Sequence, residues 1–425
     1  MRYRTRFRAS ALLLASALAA WGCGGLDGLL EVELPGQVEV PAAEVPAKAA
    51  TLVNGGVTLF NCALTWHILR SALIGDELAG GPAANTTGDD RSSFLEYVVR
   101  GTEAPNCNGH YSSVAEARWQ NDHALDLLEG WTDAEVTNRT VLIARAAVYA
   151  GYSNLILGEA FCTGAVDGGP EITSDEIVAR AEARFTRAID AATAAGNAEL
   201  LNLGRVGRAR ARIFLDRLSE ARADAILVPN GFVKNAAYPA TAARVNENGL
   251  TLGTTGLYMN EGEYTVDVLY RDFRFNGVKD PRVGVVSAGR NTRYGLPLWT
   301  PTKYPANNTP VRLASWQEAK LIVAEADLAA GNLNSAVAII NELHTAAGIP
   351  QFSSSDPAAI RQQIIYERRA EFFMEGQHLA DFRRYELPLV PAPGTSYYGV
   401  AGLTFGAQRC FPLPASERNN NPNTD

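Results

Sequence analysis

Several kinds of chemistry are missing from this sequence. Of 425 residues, only five are histidine and five are cysteine. The histidines, His67, His110, His123, His344 and His378, share no metal-ligand spacing, so each is expected as an exposed or packed imidazole and no metal is expected. No cysteine pair has Cys-x-x-Cys spacing, which disfavours a zinc knot or a thiol-exchange centre. Positive charge is in deficit: 38 Lys and Arg face 46 Asp and Glu, a net charge of −8. Without a basic stripe to neutralise phosphates, nucleic acid is not an expected partner. Common catalytic and cofactor signatures are absent too: there is no His-Glu-x-x-His, Gly-x-Ser-x-Gly, Gly-x-x-x-x-Gly-Lys or Gly-x-Gly-x-x-Gly. No enzyme and no cofactor are expected.

What is present begins with an export signal. Arg2, Arg4, Arg6 and Arg8 precede the apolar run Ala9 to Ala20, which is too short to span a bilayer. Ala20-Trp21-Gly22 before Cys23 completes the plan of a secretory signal peptide over residues 1–22. A cysteine directly after a small residue suggests a bacterial lipobox with Cys23 carrying the lipid; the alternative is plain secretion. Cleavage would remove four arginines and take the net charge from −8 to −12. In an exported chain the other four cysteines suggest two disulfides in one of three connectivities, and Cys62–Cys107 with Cys162–Cys410 is the pairing expected. Residues 23–46, rich in Gly, Pro, Glu and Val, read as a tether.

From residue 47 the pattern is mainly helical. Helices are expected over Ala47–Ala72 (interrupted or slowed by Gly55-Gly56), Val114–Glu129, Val136–Gly158, Ser174–Ala195, Leu200–Leu218 and Ser219–Val228, then Leu313–Ala330, Asn334–Ala347 and Pro357–Glu375. Small residues such as Ala144, Ala147, Gly151 and Gly158 prepare one face for close helix contact. Gly207 to Leu215 with Ala221 and Ala225, and Glu318 to Ala326 with Ala336, look like two copies of one helix pair. That is a degenerate form of the tetratricopeptide plan, with generic helical hairpins as the alternative.

Residues 229–311 differ, being rich in Gly, Asn, Thr and aromatics, and read as an irregular, partly β insertion. Eight aromatics fall between Tyr258 and Tyr304, about twice the chain's 8% average. A neutral sugar packs its C–H faces on aromatic planes while nearby polar groups bond its hydroxyls. Trp299 and Tyr294 lead the ligand-binding candidates, with Tyr304, Tyr270, Arg293 and Asn291. The alternative is that these rings pack the insertion onto the helices. Asp89-Asp90 could serve as a paired carboxylate or hold calcium, but a solvated turn accounts for it as well.

The stretch Tyr366 to Tyr385 is the most structured in pattern. Glu367, Glu371 and Glu375 recur every fourth residue and need cations; Arg368 can reach Glu371 along the helix, and Arg383 and Arg384 return on the next one. Gly376 is the expected helix stop, with a second short helix after it. Glu-Arg-Arg-x-Glu, a Glu-Gly break and Leu-x-Asp-x-Arg-Arg-Tyr together resemble the C-terminal signature of the SusD/RagB family. Leu29 to Pro35, Ile74-Gly75-Asp76-Glu77-Leu78, Leu157-Gly158-Glu159-Ala160-Phe161-Cys162, Asn341 to Gly348 (with His344 where arginine is more usual) and the ending Phe411 to Asn423 resemble other parts of the family, in order.

The resemblance implies a SusD-like, mainly α, tetratricopeptide-like scaffold over residues 47–425, carrying the insertion. It also implies a surface-exposed, lipid-anchored protein of the outer membrane. Such a protein captures glycans or other nutrients for a SusC-like TonB-dependent transporter, its partner. An exported glycan-active enzyme and a helical interaction scaffold without a small ligand are the alternatives.

Overall fold

The computed structural model describes residues 43–80, 91, 109–238, 264–292, 295–306 and 308–424. The chain divides into two units, Met1–Val45 and Pro46–Asp425; Cys23 and the signal segment lie outside the described residues, and everything below concerns the second unit. After a short 3-10 turn, Pro46–Lys48, come helices α1 (Ala49–Ile74), α2 (Tyr111–Gly130), α3 (Arg139–Ala160), α4 (Ser174–Ala194), α5 (Ala198–Phe214) and α6 (Leu218–Ala225). Among its described residues the insertion carries one short helix, α7 (Val268–Arg271), and it is followed by α8 (Trp316–Ala329), α9 (Leu333–Ala347), α10 (Pro357–Glu371), α11 (His378–Arg384) and α12 (Ala415–Asn420). The protein is mainly α, as expected. α1 with its leading turn and α3 are apolar enough to cross a membrane, yet 72% and 83% of their apolar windows are buried inside the fold, as in core helices.

Side-chain caps mark several starts. Thr173 and Glu176 form a reciprocal capping box on α4, Asn197 caps α5, Ser315 caps α8 and Asp356 caps α10 ahead of Pro357. α1 runs unbroken through Gly55-Gly56, contrary to the expected interruption. The reason is packing: a Cβ on Gly56 would stand 2.4 Å from Asn121 Oδ1, and Asn121 Nδ2 donates to the Gly56 carbonyl at 3.0 Å. The glycine lets α2 lie against α1.

The same device sets the next crossings. Phe185 of α4 lies between Gly151 of α3 and Gly207 of α5; a Cβ would come within 2.7 Å and 2.3 Å of its ring, respectively. α5–α6 and α8–α9 are the two look-alike hairpins, and they stack on each other although the insertion separates them in sequence. A buried two-pronged ion pair joins them, Arg210 to Glu318 at 2.6 and 2.9 Å, and Asp327 of α8 receives Arg222 from α6 at 2.7 Å and Ser335 from α9 at 2.6 Å.

The insertion is built of two-stranded pieces. Residues Leu78–Ala79 (β1) pair antiparallel with Thr265–Val266 (β5), and Val233–Ala236 (β4) pair with Val311–Ser315 (β10), closing the insertion at its base. Arg274–Phe275 (β6) and Val278–Lys279 (β7) make one hairpin, and Val285–Asn291 (β8) with Pro297–Pro301 (β9) another. Thr163–Ala165 (β2) and Glu171–Thr173 (β3) form a hairpin between α3 and α4. The C-terminus docks there: Arg418 pairs with Glu171 at 2.6 Å, and the amides of Asn421 and Asn423 donate to Gly169 and Gly168 at 2.9 and 2.7 Å. A disulfide joins Cys162 to Cys410, their Cα atoms 5.2 Å apart. Cys62 is also disulfide-bonded, while Cys107 lies outside the described residues.

The glycine contacts can be tested by substitution. Gly207→Ala forces its methyl into Phe185 and is expected to cost about 1–3 kcal/mol in urea unfolding. Gly55→Ala, with nothing within 4 Å of the added carbon, is expected to be neutral or stabilising by up to about 1 kcal/mol.

Candidate functional site

The C-terminal corner positions the insertion, and it does so differently from the sequence expectation. α10 ends at Glu371, a turn earlier than the Glu375 expected. The chain then turns through Met374 and Gly376, with φ of 56° and 81°. A Cβ on Gly376 would come 2.7 Å from the His67 ring, and His67 Nε2 donates to the Gly376 carbonyl at 3.1 Å, so the turn is pressed onto α1.

Glu367, Glu371 and Glu375 still gather, but their cations come from elsewhere. Arg282 reaches Glu367 at 2.7 Å and Asp280 at 2.6 Å, Arg312 reaches Glu375 at 2.9 Å and also meets Glu371, and Lys303 pairs with Glu375. All three cations lie within or at the edge of the insertion. Arg368 instead pairs with Asp381 at 2.8 Å, Arg384 with Glu325, and Arg383 donates to the Gly158 carbonyl at 2.9 Å, capping α3. His344 is buried with one ring nitrogen 2.6 Å from Glu367 Oε1 and the other against the Pro350 carbonyl. It thus bridges Glu367 of α10 and the Pro350 carbonyl after α9.

A cleft of about 290 Å³ opens beside this network, lined by Arg282, Lys303, Tyr304, Arg312, Glu371 and Glu375. Its cations are already paired with protein carboxylates, which leaves little reason for a ligand to enter.

The acidic turn Asp76-Glu77 completes the corner. Glu77 accepts from the Met374 N–H at 2.8 Å, and Asp76 accepts from Arg91 at 3.1 Å and the Val390 N–H at 3.0 Å. Burial pushes the Glu77 carboxyl up to about 7, against the lowering effects of the Met374 N–H and Lys303. Glu159 is likewise raised by burial to about 7. Both are sealed from solvent, at 1% and 2% exposure, so they serve the fold rather than a substrate. Among the described residues no group of three or more His, Cys, Asp or Glu is placed to hold a metal ion.

The aromatic candidates separate sharply. Tyr270 is fully buried, stacked on Phe373 at 5.0 Å and Phe273 at 5.7 Å, and Tyr304 is buried with its hydroxyl donating to the Met374 carbonyl at 2.8 Å. Phe273 stacks on Tyr366 at 4.7 Å and Phe275 meets His344 at 4.7 Å. These rings fasten the insertion to α10 and the turn after it. Tyr270 and Tyr304 thus spend their rings on packing, the other use of an aromatic excess. Tyr294, Arg293, Asp89 and Asp90 lie outside the described residues. Trp299 on β9 is half-buried against the core, and Asn291 at the end of β8 is exposed.

Two features escaped the sequence reading. Arg271, at the end of α7, lies over the Trp299 ring with its guanidinium carbon 5.7 Å from the centroid. Exposed Trp119 stacks on His123 at 4.8 Å on α2. A charge count could have pointed to Arg271: residues 264–312 hold eight Lys or Arg against three Asp, in a chain of net charge −8.

Residues 306–424 match the SusD family model. The chain has a SusD-like fold. A SusD-like carbohydrate binding protein of Bacteroides vulgatus superposes with a TM-score of 0.65 at 15% identity, over 89% of this chain and 97% of its own. A SusD superfamily protein of Parabacteroides distasonis gives 0.66 at 11% identity, over 89% and 98%. One of Bacteroides fragilis gives 0.64 at 12%, over 90% and 99%. No curated protein matches the chain. The SusD-like corner is thus the part the family model covers, while the β8–β9 face lies before it in sequence.

The buried acids make a pH prediction. Glu77 holds its proton more tightly folded than unfolded, so its stabilisation is complete below the ordinary value of 4.5 and is lost as pH rises through about 7. His67 works in the opposite sense: burial holds its imidazole near 4, so its contribution is present above 6.5 and is lost as pH falls toward 4. Glu77→Gln retains an acceptor for Met374 without the charge. From pH 5 to 8 the variant is expected to lose on the order of 2–3 kcal/mol less stability than the parent in urea titrations; parallel curves would contradict this.

Proposed function

We propose that this SusD-like protein is an outer-membrane lipoprotein, anchored through Cys23, that captures saccharides and delivers them to a TonB-dependent transporter. The observation that carries the reading is the SusD-like fold along nearly the whole folded unit, joined to the family match over residues 306–424. One neighbour of this fold is itself described as carbohydrate binding. The export signal and Cys23 supply an anchor. The insertion, held on the helices by ion pairs and stacked rings, offers the β8–β9 hairpin and α7 as the ligand face. The action is binding and handover, without covalent chemistry.

The test is a pull-down of the tagged, lipidated protein from its native outer membrane in mild detergent. A large β-barrel transporter is expected in near-equal amount. Recovery of the protein without a barrel, under conditions that preserve other membrane complexes, would sink the delivery role.

A further inference from the structure

Arg271 differs from the neighbouring arginines of the insertion and its closing strand. The other arginines of the insertion with assigned partners are matched to carboxylates: Arg274 to Asp272 at 2.7 Å, Arg282 to Asp280 at 2.6 Å, and Arg312 to Glu375 at 2.9 Å. Arg271 Nε donates to the Val266 carbonyl at 2.9 Å. Its two terminal NH2 groups have no hydrogen-bond partner among the described residues, and no described carboxylate stands within ion-pair distance. Burial holds its guanidinium below the usual range, and Asp267 and the Tyr398 hydroxyl offset only part of that.

Trp299 fixes this cation in place. The indole packs partly into the core and carries the guanidinium over its ring, so a ligand does not find a bare aromatic platform. It meets a planar donor fork instead. One helical turn before Arg271 on α7, Val268 is exposed at 66%, an apolar surface that the C–H face of a sugar ring could cover. A fork of parallel N–H groups on a flat support matches a carboxylate in shape and charge.

Resting on the saccharide-binding reading above, we propose that the ligand of this face is an acidic saccharide whose uronate carboxylate is gripped by Arg271 on Trp299. The face selects by charge, and Trp299 is a positioning residue for Arg271.

The test is calorimetric titration of the full mature chain with oligogalacturonate, its methyl ester (the same skeleton without the charge) and a neutral maltooligosaccharide. The free acid is expected to bind about ten- to a hundredfold more tightly than the ester, as a charge-assisted bidentate contact implies. Arg271→Gln is expected to abolish that preference, Arg271→Lys to keep part of it, and salt to weaken it, with the melting temperatures of the variants checked in parallel. Equal binding of acid and ester, or an acid preference unchanged in Arg271→Gln, would overturn the charge selection. Binding of the neutral saccharide with no acid preference would leave the saccharide-binding reading standing without it. No saccharide bound at all would overturn both.

Discussion

The insertion stays on the helical scaffold because two carboxylates at one corner, Glu371 and Glu375, meet three cations from the other side of the chain. Arg312, Lys303 and Arg282 converge there from the insertion and its closing strand, and Arg282 extends the contact to Glu367 and Asp280. Breaking a buried pair of this kind costs about 3–5 kcal/mol, because the remaining charge is left without a partner. A well-packed apolar contact could be as stable, so what the charges add is registration. They fix which residues of a glycine- and asparagine-rich segment touch α10. The stacked rings of Tyr270, Phe273, Tyr366 and Phe373 then bury the apolar area that holds the contact.

Near this corner, local backbone strain is concentrated and secured. Asp76 and Met374, both with positive φ, sit at either end of the contact made by Glu77 with the Met374 N–H. A non-glycine residue in that region persists only where its surroundings over-determine it. Here the surroundings are α1, the insertion and the turn after α10 together. Glu77 is the point where the three meet, and its raised pKa is the electrostatic trace of that burial.

The helices could be read from the sequence because their signals are local: caps, glycine stops and the period of apolar residues. The corner could be read only in part. That Glu367, Glu371 and Glu375 need cations followed from their spacing, but the cations are supplied across sequence separations of 59 to 89 residues, which no periodic pattern reveals. Extending α10 to Glu375 failed for a related reason, since the tertiary contact of Gly376 with His67 overrides the helical propensity of the preceding turn. The aromatic excess did not reveal that Tyr270 and Tyr304 are buried in packing, because a ring that packs and a ring that binds have the same composition. Arg271 was invisible by motif. What distinguishes it is that its terminal NH2 groups meet no carboxylate among the described residues, and only coordinates show that.

A corner that clamps the insertion leaves it separable from the helical core. Hydrogen exchange on Glu375→Gln, followed amide by amide, tests this most directly. The clamp predicts that the β8–β9 and β4–β10 amides lose protection by roughly ten- to a hundredfold while α3, α4 and α5 keep theirs. Unchanged protection of the insertion, or an equal loss through every helix, would contradict it.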